Sequence, residues 1–343
     1  MTRTAVLICP GRGSYNKEDL GYLGRHHSSS NFVLGLDAIR SADGNETVSV
    51  LDGSGDFKLA KFSKGDVASP LIYACSFADA YSLAEDIEVV AVTGNSMGWY
   101  TTLGVAGAVS AEDGFRIVDT MGALMQEHMI GGQIVYPVWG SDWVPDSLRR
   151  AELLELIREI DSRSNHALGL SIDLAGALVV AGNDQGLSAF EAAVPQIANR
   201  FPMRLSNHAA FHTQLQNPVS EIAQNAFANM KFGQPRVPMV DGRGHIWWPS
   251  CSDPSLLRSY TFGQQIVEPY EFGTAIRVAA QEFAPDMFII LGPGTTMGGA
   301  VAQSLIGCGW MEMKSKSDFE AIQDKSELLV SMARADQRSI VEA

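Results

Sequence analysis

The chain has 343 residues, of which 46% are hydrophobic and 19% are charged, a composition typical of a globular protein. Its formal net charge of −14 makes nucleic acid and anionic membrane surfaces unfavourable partners. Four widely separated cysteines favour a reducing compartment, and the first apolar run is too short for a signal peptide or a membrane span. We therefore expect a cytoplasmic protein that binds neither nucleic acid nor membrane.

Taken in chain order, the first predicted element is a buried strand in the segment TAVLIC, followed by the glycine loop PGRGS. Residues 19–66 are polar, with weak periodicity that defines no element. The segment from Ser69 to Asp86 has helical spacing of apolar residues, and residues 87–94 (IEVVAVTG) form a continuous apolar run. Such a run is typical of a parallel strand covered on both faces. A further helix is predicted to begin at Gly98.

The region 131–206 changes character and reads as strand, helix, strand, strand, helix, strand. This order predicts a small ferredoxin-like module. We expect an α/β fold in which residues 1–130 and 207–343 form a large α/β-hydrolase-like domain. Residues 131–206 are expected to form a ferredoxin-like domain inserted into it.

Ser96 lies in the sequence GNSMG, between a predicted strand and a predicted helix. This is the context of a nucleophile elbow, although an ordinary turn serine has the same pattern. Of the seven histidines, His212 follows the last strand of the inserted module, where the chain re-enters the large domain. The PGRGS loop lacks the lysine of a P-loop, but its backbone N–H groups are suited to an oxyanion. The sequence contains no metal-binding motif.

Five segments, CPGRGSY, GNSMGWY, MGALMQ, NHAAFHTQL and LGPGTTMGG, resemble in order and rough spacing the motifs of one enzyme family. That family is the malonyl-CoA:acyl-carrier-protein transacylases, which include polyketide synthase acyltransferase domains. Its patterns are F-P-G-Q-G-S-Q, G-H-S-L-G-E-Y, R-G-x-x-M-Q, S-x-x-F-H-S and G-P-G. The resemblance covers nearly the whole chain, and it implies the same two-domain fold.

The resemblance also implies a ping-pong acyl transfer and the residues that perform it. Ser96 would attack an acyl-CoA or acyl-carrier thioester with His212 as general base, and a carrier-protein thiol would accept the acyl group. The backbone N–H groups of Arg12 and Met97 match the oxyanion hole of the family. Gln265 resembles the residue whose carbonyl group orients the histidine. No bound cofactor or metal is implied beyond CoA-linked or phosphopantetheine-linked substrates.

Several positions depart from the family pattern, and they bear on the acyl group. Met121 stands where the family has the arginine that pairs with the malonyl carboxylate, and methionine cannot replace that ion pair. Asn95, Trp99 and Arg12 replace the family's histidine, glutamate and glutamine. With Asn95, Met121 and Phe211 assigned to the acyl pocket, we expect a non-carboxylated acyl group. Arg12 near the pocket is an alternative carboxylate partner, and the malonyl-type segment AAFH also points toward malonyl.

Three other interpretations remain open at this stage. Water as acceptor would make the protein an acyl-carrier or acyl-CoA thioester hydrolase with the same Ser96 and His212 pair. An inactive relative would only bind the carrier protein, and a plain esterase would leave the inserted module unexplained. Because the carrier proteins of this family are acidic, Arg149, Arg150, Arg200 and Arg204 are candidates for a basic docking patch.

Overall fold

The computed structural model describes residues 2–28, 30–140 and 142–343, which include ten strands and sixteen α-helices. The strands are β1 (Arg3–Cys9), β2 (Ile87–Gly94), β3 (Gly132–Pro137), β4 (Leu168–Asp173), β5 (Ala177–Gly182), β6 (Met203–Arg204), β7 (Met239–Val240), β8 (Ile246–Trp247), β9 (Met287–Ile290) and β10 (Leu329–Ser331). The helices are α1 (Tyr22–His26), α2 (Asn31–Ala42), α3 (Val48–Asp52), α4 (Leu59–Phe62), α5 (Gly65–Ala80), α6 (Gly98–Val105), α7 (Ala111–Glu127), α8 (Ser147–Asp161), α9 (Asp184–Ala193), α10 (Asn217–Ala226), α11 (Pro254–Phe262), α12 (Gln264–Val267), α13 (Phe272–Phe283), α14 (Gly298–Gly307), α15 (Lys316–Ser326) and α16 (Ala335–Val341).

The larger sheet has six strands in the order β10-β9-β1-β2-β7-β8. All neighbouring pairs are parallel except β7 and β8. The central strand β1 is buried from Ala5 to Cys9, because helices cover both faces of a parallel sheet. The strands predicted from TAVLIC and IEVVAVTG are therefore confirmed, and their carboxyl ends lie side by side at one edge of the sheet.

The second sheet has four antiparallel strands in the order β4-β5-β3-β6. Helices α8 and α9 pack on it around a separate apolar cluster that includes Tyr136, Leu153, Val180 and Phe190. This arrangement is the predicted ferredoxin-like one, and the predicted α/β fold class with a small second sheet is confirmed. The domain boundaries at residues 131 and 206 remain a prediction.

The region 19–66 differs from the sequence-based expectation, because it contains helices α1 to α4. Three of these four helices have only four or five residues. A helix of one turn has too few positions to show an apolar period, so packing against the rest of the fold must stabilise it. Across the part of the chain that the structure describes, no helix is both long and apolar enough to span a membrane.

Candidate active site

Ser96 lies on the sharp turn between β2 and α6. Its φ of 54° falls in the left-handed region, which non-glycine residues rarely adopt. The flanking glycines allow a close approach of backbone to backbone. A Cβ on Gly98 would lie 2.1 Å from the carbonyl oxygen of Cys9, and one on Gly94 would lie 2.4 Å from the carbonyl carbon of Gly98. The strand, turn and helix thus have the geometry of a nucleophile elbow.

His212 is hydrogen-bonded to Ser96, with 2.7 Å between Nε2 and the serine Oγ. Its Nδ1 lies 2.7 Å from the carbonyl oxygen of Gln265. Because a carbonyl oxygen only accepts hydrogen bonds, Nδ1 carries the proton and Nε2 is free to accept the serine hydroxyl proton. Burial lowers the pKa of His212 to about 4, against a smaller upward effect of the Gln265 bond. The imidazole is therefore neutral at pH 7 and able to act as a base.

The side chain of Gln265 connects the histidine support to the nucleophile turn. Its Nε2 donates to the carbonyl oxygen of Ser96 at 3.1 Å, and its Oε1 accepts from the Tyr100 hydroxyl at 2.9 Å. Gln265 is 3% exposed, so water does not compete for these bonds. One residue therefore fixes the histidine through its main chain and the serine turn through its side chain.

The backbone N–H groups of Arg12 and Met97 flank the turn. Neither donates a hydrogen bond to another residue within the described ranges. Met97 is the N-cap of α6, where the helix dipole also favours a developing negative charge. An oxyanion hole requires two such free N–H groups, and this role for Arg12 and Met97 remains a prediction.

A cavity of about 40 Å³ lies against Ser96 and His212. Met121, Met125, Phe211 and Ile266 supply apolar walls, and Arg12 and Ser69 supply polar ones. Met121 and Phe211 are 2% and 7% exposed. The structure thus brings Met121 and Phe211 to the cavity beside the Ser96–His212 pair, and their assignment to an acyl pocket remains a prediction.

Two of the departures from the family pattern are placed elsewhere. The Nδ2 of Asn95 lies 3.8 Å from the sulfur of Met297, and Asn95 is not among the described residues that line the cavity. Trp99 is fully buried, and its Nε1 donates to the Thr261 hydroxyl at 3.1 Å. Trp99 therefore packs in the core, and Asn95, which the sequence analysis assigned to the acyl pocket, is placed outside the cavity lining.

Sequence reasoning missed Ser69 and Tyr100. Ser69 lies on α5, where the apolar spacing predicted only a helix, and Tyr100 follows the serine motif without a pattern of its own. Their roles depend on contacts between distant parts of the chain, such as that of Tyr100 with Gln265. A single sequence contains no signal for such contacts.

The candidate docking arginines are mostly engaged within the small sheet and its helices. Arg150 pairs with Asp173, and Arg204 pairs with Glu191. Arg149 donates to the Tyr136 hydroxyl and stacks on its ring. Reversing these charges would therefore also disturb contacts within the small domain, and a docking role for Arg149, Arg150, Arg200 and Arg204 remains a prediction.

No group of three or more potential metal ligands occurs among the residues in the described ranges.

No protein-family model matches the chain. In sequence, the chain is 24% identical over 228 residues to the polyketide synthase GfsB of Streptomyces halstedii, a stretch that covers 66% of this chain and 4% of that protein. The chain spans less than a tenth of the length of the three curated proteins that it matches in sequence.

In structure, the chain is similar to an acyl-carrier-protein S-malonyltransferase from Burkholderia pseudomallei, with a TM-score of 0.75, 17% identity and 98% of each chain covered. It is also similar to a type II polyketide synthase malonyl-transacylase in complex with its acyl carrier protein. That comparison has a TM-score of 0.72, 20% identity and coverage of 99% and 98% of the two chains. The resemblance that the five motifs indicated is thereby confirmed: this chain has the fold of the malonyl-CoA:acyl-carrier-protein transacylases and is related in sequence to polyketide synthases.

Proposed function

We propose that this protein is a serine acyltransferase that acts on acyl carrier proteins in fatty-acid or polyketide-type biosynthesis. The observation that carries the proposal is the chain of hydrogen bonds from the Ser96 hydroxyl through His212 to the Gln265 carbonyl group. This arrangement activates a hydroxyl nucleophile and orients its base. It also argues against an inactive carrier-binding relative, which would have no need to keep it.

The reaction proceeds in two half-reactions. The Ser96 Oγ bonds to the thioester carbon while His212 Nε2 takes its proton, and the C–S bond breaks as that proton passes to the leaving thiolate. The phosphopantetheine thiol of the carrier then attacks the acyl-serine ester, and the serine oxygen recovers a proton through His212. In both half-reactions the N–H groups of Arg12 and Met97 stabilise the negative oxygen of the tetrahedral intermediate.

An acyl carrier protein is the proposed acceptor, and acyl-CoA or an acyl carrier protein is the proposed donor. Support comes from the similar malonyl-transacylase that was solved with its acyl carrier protein. We propose an acyl group without a carboxylate, because the apolar Met121 occupies the cavity wall. Met121 offers a carboxylate no ion pair, so a carboxylate beside it would lose its hydration and gain little in return.

Intact-protein mass spectrometry after mixing with acyl-CoA donors tests the nucleophile and the base. Wild-type protein is expected to gain one acyl mass, and Ser96→Ala is expected to gain none. His212→Ala should slow acylation by about 10²–10⁴-fold, the usual contribution of a general base. Ser41→Ala on the exposed face of α2 and His166→Ala outside the cavity are matched controls. An acyl adduct on Ser96→Ala protein would disprove the assignment of the nucleophile.

A further inference from the structure

The Arg12 side chain is fixed in the wall of the acyl cavity by two backbone carbonyl groups. Its Nη2 donates to the carbonyl oxygens of Ser63 and Asn207, each at 2.7 Å. The guanidinium carbon lies 5.3 Å from the centre of the Phe211 ring, within range of a cation–π contact. Nη2 has two hydrogens, and both are used by these carbonyl groups. The guanidinium is therefore held in one orientation before any substrate binds.

The other nitrogens of Arg12 are buried and have no hydrogen-bond partner. This holds for both Nε and Nη1, and no described carboxylate forms a salt bridge with Arg12. Burial lowers the pKa of Arg12 to about 10, and the negative charge of Asp66 partly opposes this effect. The group is still a cation at pH 7. Each buried donor without a partner costs about 1–3 kcal/mol, so an acceptor from a ligand would bind favourably here.

A second unpartnered polar group, Ser69, lies in the same cavity wall. Ser69 is 1% exposed, and its Oγ makes no hydrogen bond with the described residues. A serine inside a helix can bond to the carbonyl group four residues earlier, but this one does not. The helices α5 and α7 cross closely here, since a Cβ on Gly122 would lie 3.0 Å from the Ser69 Oγ. The hydroxyl is thus buried without a partner, on a residue that lines the cavity.

The size of the cavity limits what can enter it. A volume of only about 40 Å³ favours a short acyl chain over a long one. The cavity wall also includes the apolar side chains of Met121, Met125 and Phe211. One polar atom on the chain would meet the free donors, and its carbon atoms would meet the apolar walls.

The free donors of Arg12 suit a single neutral oxygen better than a carboxylate. A guanidinium binds a carboxylate in parallel through Nε with Nη2, or through Nη1 with Nη2. Nη2 completes either pair, and it is already bonded to Ser63 and Asn207. The nearby Asp66 also supplies negative charge to this side of the cavity. A hydroxyl or keto oxygen needs only one of the remaining donors and can bond to the Ser69 hydroxyl as well.

We propose that the acyl group carried by Ser96 is a short chain with one neutral oxygen substituent, which Arg12 and Ser69 recognise. This inference rests on the proposed acyltransferase function and names its substrate class. Malonyl-type recognition would place the carboxylate on an arginine at position 121, and this protein has methionine there. The side chains of Arg12 and Ser69 determine specificity, because they contact the acyl chain, whereas the backbone N–H of Arg12 serves the oxyanion.

Two pairs of donors with equal numbers of heavy atoms test the proposal. In 3-hydroxypropionyl-CoA against butyryl-CoA, and in lactyl-CoA against isobutyryl-CoA, a hydroxyl replaces a methyl group. In wild-type protein we expect the hydroxylated member of at least one pair to acylate Ser96 at least about tenfold faster in kcat/KM, the effect of one charge-assisted hydrogen bond. The ratio should fall to about 1 in Arg12→Met and in Ser69→Ala. Arg277→Met and Ser41→Ala, both at exposed positions, are matched controls in which the ratio should be kept.

The outcomes separate this inference from the proposed function. If no donor acylates Ser96, the proposed acyltransferase function fails. If neutral donors acylate but both ratios stay within threefold, or malonyl-CoA is the fastest donor, only the oxygen-recognition inference is overturned. Ser69→Ala removes a single oxygen and is expected to fold, so a preference retained in folded Ser69→Ala protein would also overturn it. Thermal unfolding of each variant verifies that it is folded.

Discussion

The pH dependence of acylation follows from the burial of His212. Its pKa is lowered to about 4, against 6.5 for an ordinary histidine, and the cause is desolvation of the charged imidazolium. At pH 5.5, about 97% of the imidazole is then neutral, whereas an unshifted group would be only about 9% neutral. Because only the neutral form accepts the serine proton, the acylation rate should change by less than a factor of two between pH 7 and pH 5.5.

The assay is a single-turnover measurement of acyl-enzyme formation between pH 4 and pH 8, with rapid acid quench and intact-mass detection. An acyl N-acetylcysteamine thioester with a neutral chain is the donor, since it has no group that titrates in this range. We expect the rate to fall only as the pH approaches about 4. A fall of about tenfold by pH 5.5, centred near pH 6.5, would refute the argument that burial keeps His212 neutral.

The same shift predicts how stability depends on pH. The folded-state pKa of His212 lies below its unfolded value, so between about pH 6.5 and pH 4 the unfolded chain binds the extra proton. His212 therefore does not penalise folding above pH 6.5, and it lowers the free energy of unfolding by up to about 3 kcal/mol as the pH falls to 4. Denaturant unfolding at several pH values, compared with His212→Gln, measures this contribution. An identical pH dependence in the two proteins would contradict it.

Three further substitutions test other contacts in the site. Met121→Arg should raise the ratio of kcat/KM for malonyl-CoA over butyryl-CoA by at least about tenfold, because it restores a charge-assisted donor. An unchanged ratio would show that the carboxylate is bound elsewhere. Gly98→Ala should lower the free energy of unfolding by about 1–3 kcal/mol, because the added Cβ would lie 2.1 Å from the carbonyl oxygen of Cys9. Wild-type stability in a denaturant titration would contradict the close backbone contact at this turn. Tyr100→Phe leaves the buried Oε1 of Gln265 without its hydrogen-bond donor at 2.9 Å and should therefore slow single-turnover acylation several-fold. An unchanged rate would show that Tyr100 does not help to position His212.

Much of the fold could be predicted from the sequence, because its strongest elements carry local patterns. The strand from Ile87 to Gly94 is a continuous apolar run, and the glycines around Ser96 mark the turn that follows it. The small sheet was predictable from the order of its strands and helices. Helices α1, α3 and α4 were not, since each has only four or five residues and is stabilised by packing and not by its own periodicity, and the twelve-residue α2 was missed as well.

The candidate site was predictable to the extent that motifs encode it. Ser96 and His212 lie in two of the five matched segments, whereas Gln265 lies outside them, and the structure places all three residues in one hydrogen-bonded chain. The polar wall of the cavity was not predictable, because Ser69 becomes notable only when its hydroxyl is found to be buried without a partner. The direction of the Asn95 side chain likewise depends on the packing of Met297, which lies 202 residues away in sequence.

The transfer step itself tests the central claim most directly. Acyl-enzyme is prepared with a neutral acyl-CoA and freed of excess donor, and it is then mixed with buffer alone, with pantetheine or with a holo acyl carrier protein. Intact-mass spectra follow the loss of the acyl mass from the enzyme and its gain by the thiol acceptor. We predict that the acyl group leaves Ser96 at least about tenfold faster with a thiol acceptor than in buffer, because a transferase site binds a thiol in place of water. The acyl group should then be recovered as a thioester on the acceptor. Equal rates of loss with and without the thiols, with the free acid as the only product, would contradict the account and identify the protein as a thioester hydrolase.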